Sequence, residues 1–184
     1  MVRPAIEKNA QFVSERARSA GVIGQGDFLY NVGRFNDACA AYEIALMRQP
    51  NTPAIQAKLG VSMVRAGFAR AGIARLTAWR ATTPQVPELY EGLVLSYIFL
   101  DRLGEAAEIA EQKIRFVAGL FPGDYLRAAS LWAELQETGR ARGILQQGLR
   151  AYPSDADLQH AWQLAQLLPS PQILENSELQ ALRR

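Results

Sequence analysis

Glycine and proline recur in this chain at a shared interval. Gly26 and Gly60 are 34 residues apart, as are Gly33 and Gly67, and Pro50 and Pro84. The step from the second glycine of each unit to its proline, Gly33 to Pro50 and Gly67 to Pro84, is also common to both units. Glycine punctuates a helical chain by taking positive φ, and proline by ending the helix before it. A common interval therefore means a common supersecondary unit, and a period of 34 is that of a helix–turn–helix solenoid. Such arrays bury a continuous core between neighbouring repeats and offer an extended surface to other polypeptides.

Other positions fall into the same register. Leu29, Met63 and Tyr97 share one slot, Ala38, Gly72 and Ala106 a second, Tyr42, Leu76 and Ala110 a third, and Ala45, Trp79 and Lys113 a fourth. A step of 35 then carries Tyr97 onto Trp132 and Ala106 onto Ala141, and the register reaches Pro153. This predicts helix pairs at 20–32 with 35–48, 53–66 with 69–81, 87–100 with 103–118 and 123–137 with 140–151, then a single helix at 155–168. The small slot (Ala38, Gly72, Ala106, Ala141) marks where two helices cross closely. The turns belong at Gly33 and Gly67, at Asp101 in place of a third glycine, and around Gly139 in a shortened fourth unit. Tyr42, Trp79, Tyr97, Trp132 and Trp162 recur at repeat intervals, as core aromatics do. Ile6, Ala10, Val13 and Ala17 form an apolar stripe that predicts an amphipathic helix over 4–18. Pro169, Ser170 and Pro171 mark a linker. The expected organisation is an N-terminal helix in 1–18, a repeat array with a capping helix in 19–168, and a linker and tail in 169–184, the tail either disordered or docked on the array.

Composition and motifs argue against chemistry. The 184 residues are 49% apolar and 21% charged, with a formal charge of +2, which is globular and too weakly basic to favour nucleic acid. A single cysteine excludes an internal disulfide and a cysteine-based zinc site. Residues 1–20 are too charged for a signal peptide, and the apolar run Leu93–Leu100 is too short to span a bilayer. His160, the one histidine, has no partner nearby in sequence, and neither has Cys39. The run Gly21–Gly26 has the wrong glycine order for a dinucleotide loop and reads as a junction. Arg65, Arg70, Arg75 and Arg80 recur every fifth residue, which turns each about 140° from the last, so they read as scattered solvated side chains. The expectation is a cytoplasmic protein that is not an enzyme and uses no cofactor, metal or nucleic acid.

The string Gly33-Arg34-Phe35-Asn36-Asp37-Ala38, followed by Tyr42, Ala45 and Pro50, resembles the tetratricopeptide repeat family. The resemblance covers roughly residues 19–153 and is best in the first unit. It implies an all-α right-handed superhelical solenoid of about four antiparallel helix pairs, with an N-terminal helix and a C-terminal capping helix. In that family the first helix of each pair lines a concave groove. The matching positions are Ile23, Asp27, Tyr30 and Asn31, then Ala57, Lys58, Val61 and Arg65, then Glu88, Glu91, Leu95 and Ile98, with Leu126, Arg127 and Ser130 continuing the line. The resemblance thus implies partner binding at Asp27, Tyr30, Asn31, Lys58, Val61, Arg65, Leu95 and Ile98. Tyr30 would be the anchor, and Lys58 and Arg65 would suit an acidic or backbone-rich ligand. A subgroup that clamps a carboxylate needs cations where this chain has Ile23, Asp27, Lys58, Glu88 and Gly92; only Lys58 fits, so that clamp is not expected. The RNA-binding pentatricopeptide architecture has a similar period but lacks the turn glycine and terminal proline. The implied function is a non-catalytic module, an adaptor, scaffold or chaperone, that binds another protein in its groove. The alternatives are a bacterial type III secretion-type chaperone, which the size and leading helix resemble, and a non-catalytic subunit of a larger assembly.

Overall fold

The structure, a computed structural model, describes residues 21–167. The expected helix at 4–18 and the linker and tail at 169–184 lie outside the described residues. The chain divides into two compact units at Leu100 and Asp101, and each is described by itself. Every described element is an α-helix.

The first unit holds α1 (helical over 21–31), α2 (Phe35–Arg48), α3 (Pro53–Arg65), α4 (Ala69–Thr82) and α5 (Pro87–Phe99). Helices α2 and α4 each pack on α3, and α5 packs on both α3 and α4. Leu59, Leu76, Leu89 and Leu93 are fully enclosed; burying one such side chain contributes about 1.5–3 kcal/mol. The second unit holds α6 (Leu103–Phe116), α7 (Pro122–Glu134), α8 (Thr138–Ala151) and α9 (Ala156–Leu167), each packed on the next, with α9 also touching α7. The boundaries agree with the sequence register to within two residues except at the end of α7, which stops at Glu134, three residues before the expected 137.

The punctuation acts as expected, with one shift. Gly33 and Gly67 adopt φ of 80° and 95°. Past each, the backbone N–H of Arg34 donates to the Leu29 carbonyl and that of Phe68 to the Met63 carbonyl, both at 2.8 Å, closing the helix C-terminus in a Schellman turn. Asp101 takes the same left-handed conformation, φ 57°, without being glycine. The fourth turn is made by Gln136, φ 63°, with the Glu137 N–H bonded to the Trp132 carbonyl at 2.9 Å. Gly139 is therefore not the turn; it lies in the first turn of α8. Its glycine identity drew the expectation away from the position that the register itself marks, 35 residues after Asp101.

A second proline series, Pro53, Pro87 and Pro122, was not anticipated. Each is the first residue of its helix, where the missing N–H leaves no bond unmade. The earlier series supplies acceptors. The side chain six residues after Pro50, Pro84 and Pro153 donates to that proline's carbonyl: Gln56 at 3.0 Å, Tyr90 and Gln159 each at 2.8 Å.

The small slots are buried: Ala38 and Ala106 are fully enclosed and Ala141 is 2% exposed. Of the repeating aromatics, Tyr42 and Trp132 are buried, whereas Trp79, Tyr97 and Trp162 are only half-buried. Lys113, in the slot of Ala45 and Trp79, is not a packing residue. Its Nζ lies 2.5 Å from Asp124 Oδ1 with both side chains nearly enclosed, and the other Asp124 oxygen accepts the Phe121 N–H at the start of α7.

Two stability predictions follow from this geometry. Ala38→Leu has no space at its crossing and is expected to cost about 1–3 kcal/mol, seen as a lower denaturant midpoint; an unchanged midpoint would overturn the register. Gln136→Gly relieves a left-handed residue whose strain is about 1 kcal/mol, less the extra freedom that glycine gives the unfolded chain. It is expected to raise the midpoint slightly, whereas Gly139→Ala, inside α8, leaves the turn intact.

Candidate functional site

The first unit carries an open groove of about 500 Å3 with mainly apolar walls. Helix α1 contributes Asp27, Tyr30 and Asn31, α3 contributes Ala54, Ala57, Lys58 and Val61, and α5 contributes Glu88, Glu91, Gly92 and Leu95. The walls are repeat-equivalent. Asp27, Val61 and Leu95 are separated by 34 and 34 residues, and so are Lys58 and Gly92, and Ala57 and Glu91. One face of each first helix is thus turned to the same side. Gly92 marks a close approach of α5 to α3 and α4, since a Cβ there would sit 3.1 Å from Leu76 Cδ2 and 3.3 Å from the Ala57 Cβ.

Six of the eight expected residues line the groove: Asp27, Tyr30, Asn31, Lys58, Val61 and Leu95. Ile98 and Arg65 do not. Ile98 is 39% exposed and shares a slot with Tyr30 and with Val64, which is buried. Arg65 sits against aromatic rings instead. Its guanidinium carbon is 4.7 Å from the Phe35 ring centre, 4.5 Å from that of Phe99 and 5.9 Å from that of Tyr30, and Tyr30 itself meets Phe35 edge-on at 5.3 Å. The guanidinium ties the ends of α1, α2, α3 and α5 through cation–π contacts. Two others of the five-residue arginine series are not simply solvated either, although Arg70 is exposed. Arg75 pairs with Glu43 at 3.0 Å and lies over Trp79, and Arg80 lies over Tyr90. Leu126, Arg127 and Ser130 belong to the second unit and are not among the groove's lining residues.

Lys58 is engaged within the chain. Its Nζ donates to both oxygens of Asp27, at 2.7 and 2.8 Å, and the Tyr42 hydroxyl donates to Asp27 Oδ1 at 2.6 Å. One carboxylate thus joins α1, α2 and α3. Burial pushes the Asp27 carboxyl up, but the hydrogen bonds from Lys58 and Tyr42 and the Lys58 charge outweigh this and leave it below its ordinary value of 3.8. Burial likewise pushes the Tyr42 phenol upward, reinforced by its bond to Asp27, so it stays a neutral donor. The expectation of Lys58 as a free cation for an acidic ligand is corrected by this pairing. Sequence reasoning missed it because the partners lie 31 residues apart; the register offers a signal only in that Asp27 is charged where Val61 and Leu95 are apolar.

Chemistry finds little elsewhere. Burial, with the nearby Glu43 charge, pushes the Cys39 thiol up to about 11, which keeps it protonated at neutral pH. His160 is exposed on α9. Among the described residues no cluster of His, Cys, Asp and Glu is suited to a metal, and no helix is long and apolar enough to cross a membrane.

No protein-family model matches the chain, nor does any curated protein. Solved structures do. MamA aligns at 19% identity over 80% of this chain and 80% of its own, with a TM-score of 0.56. PilW, described as a widely conserved type IV pilus biogenesis factor, aligns at 23% identity over 77% and 66%, with a TM-score of 0.58. A tetratricopeptide repeat protein from Parabacteroides merdae aligns at 13% identity over 80% and 59%, also at 0.58. The chain has the tetratricopeptide repeat fold. At these identities the likeness is one of fold. Within this tetratricopeptide array the Asp27–Lys58–Tyr42 cluster is the polar centre of the groove.

The pairing gives a pH prediction. Because the folded Asp27 carboxyl titrates below the unfolded one, its contribution to stability is complete above 3.8 and is lost as the pH falls through the folded value. Asp27→Asn is therefore expected to be less stable than the parent at pH 7, with the gap narrowing as the medium is taken below 3.8. Urea midpoints of both proteins across that range are the check, and a gap independent of pH would remove the ion pair from the account.

Proposed function

We propose that the chain is a non-catalytic interaction module, adaptor-like or chaperone-like and cytoplasmic, that binds a segment of another protein in the α1–α3–α5 groove. The observation that carries this reading is the groove itself: an open, mainly apolar hollow of about 500 Å3 walled by equivalent residues of successive repeats. Such a surface fits an extended or helical peptide better than a small polar substrate. Leu95 is 47% exposed within it, apolar surface that a partner would cover. Tyr30 is the rigid aromatic beside it, a residue type that contributes much contact for little lost entropy. The protonated Cys39 and the isolated His160 favour binding over catalysis.

The test compares variants of the full chain in affinity capture and in binding to the captured partner. Tyr30→Ala is expected to cost about 1–3 kcal/mol of binding with the helical circular dichroism unchanged. The controls are Glu43→Ala and Arg75→Ala, a half-exposed pair on the opposite helices of the repeats. If these controls weaken association and Tyr30→Ala does not, the groove is not the interface.

A further inference from the structure

The groove is not chemically uniform along its length. Its middle is neutral, because the Lys58 ammonium is held by both Asp27 oxygens. Beside the start of α5 its wall is acidic. Glu88 and Glu91 stand one turn apart on the groove face, and Glu88 is exposed and forms no ion pair among the described residues. One turn beyond Glu91 the wall becomes apolar with Leu95, facing Val61 of α3. Counting Glu88 alone with the neutralised pair leaves the lining with a net negative charge. No lining residue supplies a second cation, since Arg65 is stacked among rings outside the walls.

Resting on the groove reading above, we propose that the segment bound there is cationic and apolar, with a lysine or arginine set against Glu88 and an apolar side chain set against Leu95 and Val61. Seven residues separate Glu88 from Leu95, or about 10 Å along α5 at 1.5 Å per residue. An extended chain covers that distance in about three residues. The preferred segment therefore reads basic-x-x-apolar when it lies along α5. The acidic wall chiefly selects the partner and speeds encounter, and the apolar wall supplies most of the affinity.

A displayed library of random dodecapeptides panned against the full chain tests this, because it contains cationic, acidic and neutral sequences together. The expected result is enrichment of basic-x-x-apolar peptides. A synthetic copy of an enriched peptide, followed by fluorescence anisotropy, should bind Glu88→Lys about fivefold more weakly at low salt, with a smaller difference at high salt. The same peptide with its base replaced by glutamate should regain affinity for Glu88→Lys. Leu95→Asp should abolish binding of both. If enriched peptides lack bases, or Glu88→Lys changes nothing while Leu95→Asp abolishes binding, the groove reading stands and the cationic partner is overturned. If no peptide is enriched, or neither substitution affects those that are, the groove reading and this inference fall together.

Discussion

Everything in the first unit depends on how closely its helices approach. At Gly60 the space of a Cβ is already taken by Leu76, whose Cγ would lie 2.3 Å away, and at Gly72 a Cβ would fall 2.7 Å from the Gly60 carbonyl oxygen. Helices α3 and α4 thus cross backbone to backbone, with Leu76 seated where a side chain is missing. One repeat earlier the same slot holds Gly26, and Tyr42 fills it, with its ring carbon 2.6 Å from where a Cβ would be. Glycine is costly inside a helix by about 1 kcal/mol. That cost is offset here by enclosing Tyr42 and Leu76, which are 2% and 0% exposed.

The crossing also explains the groove. A second helix seated deep in the first fixes the rotation of the first, and so decides which face is left over. On α1, α3 and α5 the leftover face carries Asp27, Val61 and Leu95 in one slot. Tyr42 connects the two sides, since its ring fills the gap at Gly26 while its hydroxyl reaches Asp27 at 2.6 Å. The residue that packs the first crossing therefore also holds the polar centre of the groove, which places fold and site under a single constraint.

The sequence register was legible wherever local backbone chemistry sets the structure. Gly33 and Gly67 made their turns, Ala38 and Ala141 their crossings, and helix ends fell within two residues except at the end of α7, three residues early. It misled where residue identity and position disagreed. Gly139 attracted the fourth turn, although Gln136 makes it with φ 63°, because the Schellman hydrogen bonds and packing of α7 and α8 impose the conformation on whatever residue the interval puts there. Six of the eight positions implied by family resemblance share one groove, since that placement depends on helix rotation, which the register determines. Their chemistry was not legible. Lys58 meets Asp27 across two helices, Arg65 is surrounded by rings drawn from three other helices, and Lys113 finds Asp124 across a turn; none of these pairings follows a period.

Repetition and function pull against one another in such an array. A slot filled alike in successive repeats is serving the crossing or the turn, as Gly26 and Gly60 do. A slot whose chemistry changes is not needed by the fold in that form. Asp27, Val61 and Leu95 occupy equivalent positions yet are anionic, buried apolar and exposed apolar in turn. Ala54 and Glu88 are likewise equivalent, as are Lys58 and Gly92. The groove face departs from the chain's own period, while the small slots Ala38, Gly72, Ala106 and Ala141 keep to it. Asp27 and Lys58 answer to one another across α1 and α3, and Glu88 is exposed to solvent, so the crossings beneath leave this face free to differ from one repeat to the next.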